Sequence, residues 1–266
     1  MLRKIDILKV VKLVIDAIFP PTCLKCRGFL TTKDIGALNS SFDNPDNPFE
    51  QFSKYFCENC LDLKGCYYLP TTQYHTKSND SLFDSSYQLK VDVHAASTYK
   101  GVIRDAIHLL KYNGKIALAQ PLGDLLFRTF MRYYDDKPVD LIVPIPLYWK
   151  RLFERGFNQS FLILRDFKKY WFQSRGCYPN WEINPFLLVR QRNTKSQTGF
   201  NREERQKNVK GAFAVRKKYR IKDSVRGKNI VIVDDVHTTG ATTKEAAKSL
   251  FDAGAASVGI IVIAQV

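Results

Sequence analysis

Thirteen residues near the C-terminus, Ile230-Val-Ile-Val-Asp-Asp-Val-His-Thr-Thr-Gly-Ala-Thr242, restrict what this chain can fold into more than any other feature. Ile230 to Val233 predict a strand buried on both faces, and the residues from Thr242 to Ala253 predict a helix that begins at the end of the following turn. The turn offers backbone N–H groups at a helix N-terminus together with the hydroxyls of Thr238, Thr239 and Thr242. Gly240 lets a ligand approach the backbone, so Thr238, Thr239, Gly240, Ala241 and Thr242 form a candidate cradle for a phosphate dianion. Asp234 and Asp235 crowd two negative charges just before it. A carboxylate pair beside a phosphate loop suits the vicinal hydroxyls of a ribose 5-phosphate, and it can also orient the waters of Mg2+. The turn lacks the Gly-Lys-Ser/Thr of a Walker loop, and no G-x-G-x-x-G follows a strand.

Upstream the pattern alternates in the same way. Helices are predicted over 101–111, 115–133 and 158–172, and strands over 139–145, 186–189, 212–215 and 258–263. Apolar strands alternating with helices predict an α/β fold, a mainly parallel sheet flanked by helices. This domain is expected to occupy residues 87–266, separated by the polar stretch 71–86 from a small module at 21–70. Residues 2–18 form a basic amphipathic pattern that ends at Pro20-Pro21. Such a helix packs on the protein or makes peripheral contact with anionic lipid. The N-terminus does not read as a secretory leader, and no stretch reaches the roughly 20 apolar residues of a membrane span. A cytoplasmic location is therefore expected, with association at the inner face of the membrane as the lipid-bound variant.

The small module carries Cys23-Leu-Lys-Cys26 and Cys57-Glu-Asn-Cys60. Two such knuckles bring four thiolates to one tetrahedral cation, so Cys23, Cys26, Cys57 and Cys60 are expected to hold a structural Zn2+ with no open coordination position. A polar insertion, residues 33–54, accounts for the long separation. Cys66 and Cys177 receive no role.

Charge is distributed unevenly. Residues 150–228 hold 21 Lys+Arg and 6 Asp+Glu, and the remainder holds 20 of each, so the whole net charge of +15 lies in this block. A solvated face is the plain reading of such a block; an anionic ligand or nucleic acid is the functional one.

The thirteen-residue stretch resembles the 5-phosphoribosyl-1-pyrophosphate (PRPP) loop of type I phosphoribosyltransferases. With the cysteine knuckles, Lys111-Tyr, Pro144-Ile-Pro-Leu, Arg151, Arg155-Gly-Phe-Asn-Gln159, Arg190 to Gln197, Arg205, Asn208 and Gly211-Ala-Phe213, the order is similar to that of the ComF family of competence proteins. The departures are the long insertion and His237, where an aliphatic or aromatic residue is expected.

The resemblance implies that Lys150 and Arg151 meet the diphosphate of PRPP, which binds together with Mg2+. It also implies that residues 191–200 form a lid to which Arg190, Arg192 and Lys195 add positive charge. It further implies a role in natural transformation, handling incoming single-stranded DNA with a competence helicase and recombination-mediator proteins. Tyr148, Trp149, Phe153, Phe157 and Phe200 are candidate base-stacking residues, though each is expected first as core. No acceptor pocket is identifiable, so turnover is undecided; the alternative is an active phosphoribosyltransferase of nucleotide metabolism with an unnamed acceptor.

Overall fold

A computed structural model describes residues 20–30, 49–61, 91–194, 202–221 and 224–266. The amphipathic segment 2–18, most of the polar insertion, the stretch 71–86, Cys66, Lys195 and the lid as far as Phe200 lie outside the described residues. Two compact units divide the chain, Met1–Lys64 and Gly65–Val266.

In the first unit a short turn carries Cys23 and Cys26. Its ends are joined by an antiparallel bridge between Thr22 and Phe29, and Arg27 takes a left-handed φ of 64°. A 3-10 helix, Glu50–Lys54, precedes the second knuckle. Leu24 N–H donates to Tyr55 O at 2.8 Å, which ties the two knuckles together. Phe52 and Phe56 are fully buried in this unit.

Among the described residues the second unit has seven strands: β1 (Val93–Thr98), β2 (Leu141–Pro144), β3 (Glu182–Ile183), β4 (Leu188–Arg190), β5 (Phe213–Val215), β6 (Asn229–His237) and β7 (Ser257–Gln265). Five form one sheet in the order β1-β7-β6-β2-β3, all neighbours parallel, and β4 pairs antiparallel with β5. The helices are α1 (Gly101–Asn113), α2 (Ala119–Tyr134), α3 (Trp149–Arg155), α4 (Gln159–Ile163), α5 (Phe167–Arg175), α6 (Arg202–Val209), α7 (Lys217–Ile221) and α8 (Ala241–Phe251).

β6 is central because its apolar run has cover on both faces. Ile230 and Ile232 join a core with Ala246, Ala247 and Leu250 of α8. Val231 and Val233, equally buried, alternate to the opposite side. There α2 supplies an aromatic layer in which Phe127 and Phe130 pack against Phe167, and Phe130 against Trp171 and Trp181. Gly259 of β7 lies directly under the Tyr134 hydroxyl, where any Cβ would collide with it.

Several expected boundaries shift. The helix predicted over 158–172 is two helices, because the i→i+3 bonds Leu164 N–H to Phe161 O and Arg165 N–H to Leu162 O close α4 early. α4 thereby lays Ser160 and Ile163 inward, while α5 begins on the buried Phe167. The strand predicted at 186–189 runs from Leu188 to Arg190. β1 escapes the pattern because Val-His-Ala-Ala-Ser-Thr becomes a strand through pairing with β7. β3, two residues long, forms through pairing with β2. α3 has no core-facing stripe, since none of its residues is buried.

Candidate functional site

The site begins at the C-terminal end of β6. Asp234 and Asp235 are both buried there, and each finds a different partner. Asp234 Oδ1 accepts from Ser160 Oγ of α4 at 3.2 Å and from the N–H of Asp235 at 2.9 Å. Asp235 Oδ1 meets Lys111 Nζ of α1 at 2.8 Å, and its Oδ2 is buried with no hydrogen-bond partner. Burial, then the charge of Asp235, raises the Asp234 carboxyl to about 7, with Lys111 and the two donors pulling the other way. Burial disfavours the Lys111 ammonium, but Asp235 and Asp234 together outweigh it and push Lys111 above its ordinary value.

Beyond the doublet the chain turns into α8. Gly240 has φ 75°, a left-handed conformation that favours glycine, and accepts from Lys244 N–H and from Thr243 Oγ1. Thr239 Oγ1 accepts from Ala241 N–H at 3.5 Å. Asp234, Thr238, Gly240, Ala241 and Thr242 line one narrow cavity of about 30 Å3. Val236, Thr243 and His237 also line it, and the His237 ring lies so close that a Cβ on Gly240 would meet Cε1 at 2.6 Å. Burial, reinforced by Lys244, lowers His237 to about 4, and its Nδ1 is buried without a partner.

The basic residues separate into two groups. Lys150 and Arg151, at the start of α3, line a recess of about 250 Å3 with Glu154, Asn193 and Thr194, and Arg151 donates to Thr194 O at 3.0 Å. Arg192 is exposed and donates to Lys210 O. Arg190, expected to add positive charge to the lid, is buried at the end of β4. Only 8% exposed, it lies 5.2 Å from the Phe213 ring and donates to Thr194 Oγ1. Burial and the charge of Arg151 lower it to about 10, against the pull of Asp234. β4 places it there because Leu188 and Arg190 share one face of a hairpin stem paired with β5.

Ser160 and Lys111 complete the acidic doublet, and motif reading did not select them as site residues. Ser160 carries no local signal; Lys111 sits in the Lys-Tyr pair but shows its partner only in the fold. Asn158 proves structural: its side chain caps α4 through Phe161 N–H and donates to Ile145 O. Trp149 and Phe153, expected first as core, are 67% and 87% exposed on α3.

In the first unit the ligand atoms of Cys23, Cys26, Cys57 and Cys60 all lie within 4.8 Å of one another. Bonds of about 2.3 Å around a tetrahedral ion place sulfurs about 3.8 Å apart, and Cys26 Sγ lies 3.7 Å from Cys57 Sγ. Burial pushes the Cys23 thiol up, but backbone N–H groups outweigh it and bring it to about 6. Burial and the other three cysteines push Cys60 to about 12. The spacing of the four sulfurs is that of ligands on one tetrahedral ion. The cluster therefore fits a metal ion.

A parallel sheet covered by helices, with an acidic doublet and a hydroxyl-rich turn where strand passes into helix, defines a protein of the phosphoribosyltransferase type. Residues 185–266 match the family described as phosphoribosyl transferase domain. The chain is 34% identical over 169 residues to the DNA utilization protein YhgH of Salmonella typhi, covering 62% of this chain and 68% of that protein. It is 33% identical to YhgH of Escherichia coli K12, covering 61% of this chain and 66% of that one. Against the competence protein ComFC of Bacillus subtilis the identity is 28%, over 60% and 58%. The chain belongs to the ComF family. No helix among the described residues is long and apolar enough to cross a membrane.

Proposed function

We propose that this protein binds PRPP with Mg2+ and assists the handling of incoming single-stranded DNA in natural transformation, with a structural zinc ion in its cysteine module. The observation that carries the PRPP reading is the buried Asp234–Asp235 pair set beside the turn that starts α8. Two carboxylates accept from the ribose diol, and the unpartnered Oδ2 of Asp235 is an acceptor ready for one of its hydroxyls. The N–H groups and hydroxyls of 238–242 receive the 5-phosphate, and Lys150 and Arg151 receive the diphosphate. With PRPP bound, Asp234 and Asp235 are the residues that would orient the waters of a Mg2+ ion, which would supply neutralising charge for the diphosphate.

The DNA part rests on two supports. Relatives are named for competence and for DNA utilization, and α3 exposes Trp149 and Phe153 between the cations Lys150, Arg151 and Arg155. Aromatic rings interleaved with basic side chains stack bases and bind phosphates without sequence preference. A competence helicase and recombination mediators acting on the cytoplasmic side are the partners this reading implies; that compartment keeps the four thiols reduced. A second reading, an active transferase, is favoured by the buried Lys111–Asp235 pair beside an open cavity, and steady pyrophosphate release on adding an acceptor base would establish it.

The test is Asp234→Ala combined with Asp235→Ala. Calorimetric titration with PRPP and Mg2+ should show binding lost while zinc content stays the same, and a strain carrying the pair should transform poorly. Unaltered PRPP affinity removes the ribose assignment.

A further inference from the structure

Between the C-terminal end of α1 and α3 lies a cavity of about 430 Å3, distinct from the narrow cavity at the turn and adjoining the recess of Lys150, with which it shares Arg151 and Glu154. One wall is Lys111, Tyr112 and Gly114. The other is Arg151, Glu154 and Arg155, closed by Phe157. Three cations face one carboxylate. Arg151 and Arg155 donate in their recorded bonds to neutral oxygens, Thr194 O and Gln159 Oε1, so those bonds neutralise neither guanidinium. The Tyr112 ring is 64% exposed and lies 5.7 Å from the Arg155 guanidinium, while Phe157 is half-buried. The size falls in the ordinary range for small-ligand sites. Net positive charge selects an anion, and an exposed ring facing a guanidinium across the cavity selects a flat, aromatic one.

We infer that this cavity is a nucleotide subsite, taking one base and its phosphate, either as a free mononucleotide or as one unit of a DNA strand. The inference rests on the DNA-handling part of the proposed function and gives it a location. The base stacks on Tyr112, and its phosphate meets Arg151 and Arg155. Lys111 borders this subsite and holds Asp235 at 2.8 Å, and Arg151 lines both this cavity and the recess given to the diphosphate, so nucleotide and PRPP share two cations. Their affinities are therefore linked reciprocally.

The experiment measures dTMP and PRPP binding by calorimetry on the full chain and on Tyr112→Ala and Tyr112→Phe. Because Tyr112 is on the surface, both variants should melt as wild type does. Tyr112→Ala should weaken dTMP about tenfold and leave PRPP affinity unchanged, and Tyr112→Phe, which keeps the ring, should bind dTMP as wild type does. Displacement of dTMP by a short oligothymidylate identifies the ligand as a strand unit; Tyr112-dependent dTMP binding that the oligonucleotide cannot displace identifies a free nucleotide. Equal affinity for inorganic phosphate, or dTMP binding indifferent to Tyr112→Ala, overturns the subsite. The PRPP titration on the same samples reports separately on the PRPP site.

Discussion

Asp234 concentrates the chemistry of the site in one ionisation. It is buried against Asp235, Lys111, Ser160 and Arg190, and folding raises its pKa from near 4 to about 7. In that window the native state holds a proton that the unfolded state has lost, so stability of the free protein falls as pH rises from 4 to 7 and stays low above it. Asp234→Asn keeps an Oδ1 able to accept from Ser160 and Asp235 while removing the charge. Urea unfolding at pH 8 should find the variant more stable by on the order of a few kcal/mol, with the difference vanishing near pH 4. A variant no more stable at pH 8 would show that the doublet is not strained by its own charge. At the same scale, His237 shows a departure from the family pattern absorbed sterically: its ring occupies the space a side chain at position 240 would need, so Gly240 is required by φ and by contact together.

At the scale of elements, α3 and β6 are opposites. β6 is held by pairing on both edges and by apolar cover on both faces, and it exists to bring Asp234 and Asp235 to the sheet end. α3 buries nothing, so its aromatic residues contribute little to stability. Trp149→Ala with Phe153→Ala should leave the melting temperature within a degree or two, while single-strand affinity, read by fluorescence anisotropy at fixed salt, drops by about tenfold or more. A large fall in melting temperature would return these rings to the core. Arg190 makes the converse point: a cation read as lid charge proves to be a fixed part of the β4–β5 stem, because antiparallel pairing with Phe213 turns it inward.

For the molecule as a whole, two units with different sources of stability share one chain. The second unit has a parallel sheet with deep apolar layers. Among its described residues the first buries a few apolar side chains, Phe52 and Phe56 among them, and an ion joining its four thiols would add to its stability. Treatment with a strong chelator should release one zinc per chain and abolish amide protection in residues 20–61, while PRPP binding by the second unit persists. Protection that survives complete metal loss would show that the cysteine module folds by packing alone.

Local pattern was sufficient for the alternation of strands and helices, the strand–turn–helix at 230–242, the paired cysteine knuckles and the confinement of charge to one block, since each depends on neighbours in sequence. Pairing and burial were not local. β1 and β3 exist because other strands lie beside them, and Ser160 and Lys111 serve the doublet from helices distant in the chain. Arg190 is buried, and Trp149 and Phe153 are exposed, for reasons of packing that no run of residues records. The sequence by itself determined which chemical groups the chain carries and the order in which they come. Only the tertiary structure decided which of them meet, because the free energy of a buried charge or an exposed ring is set by the atoms folding brings around it.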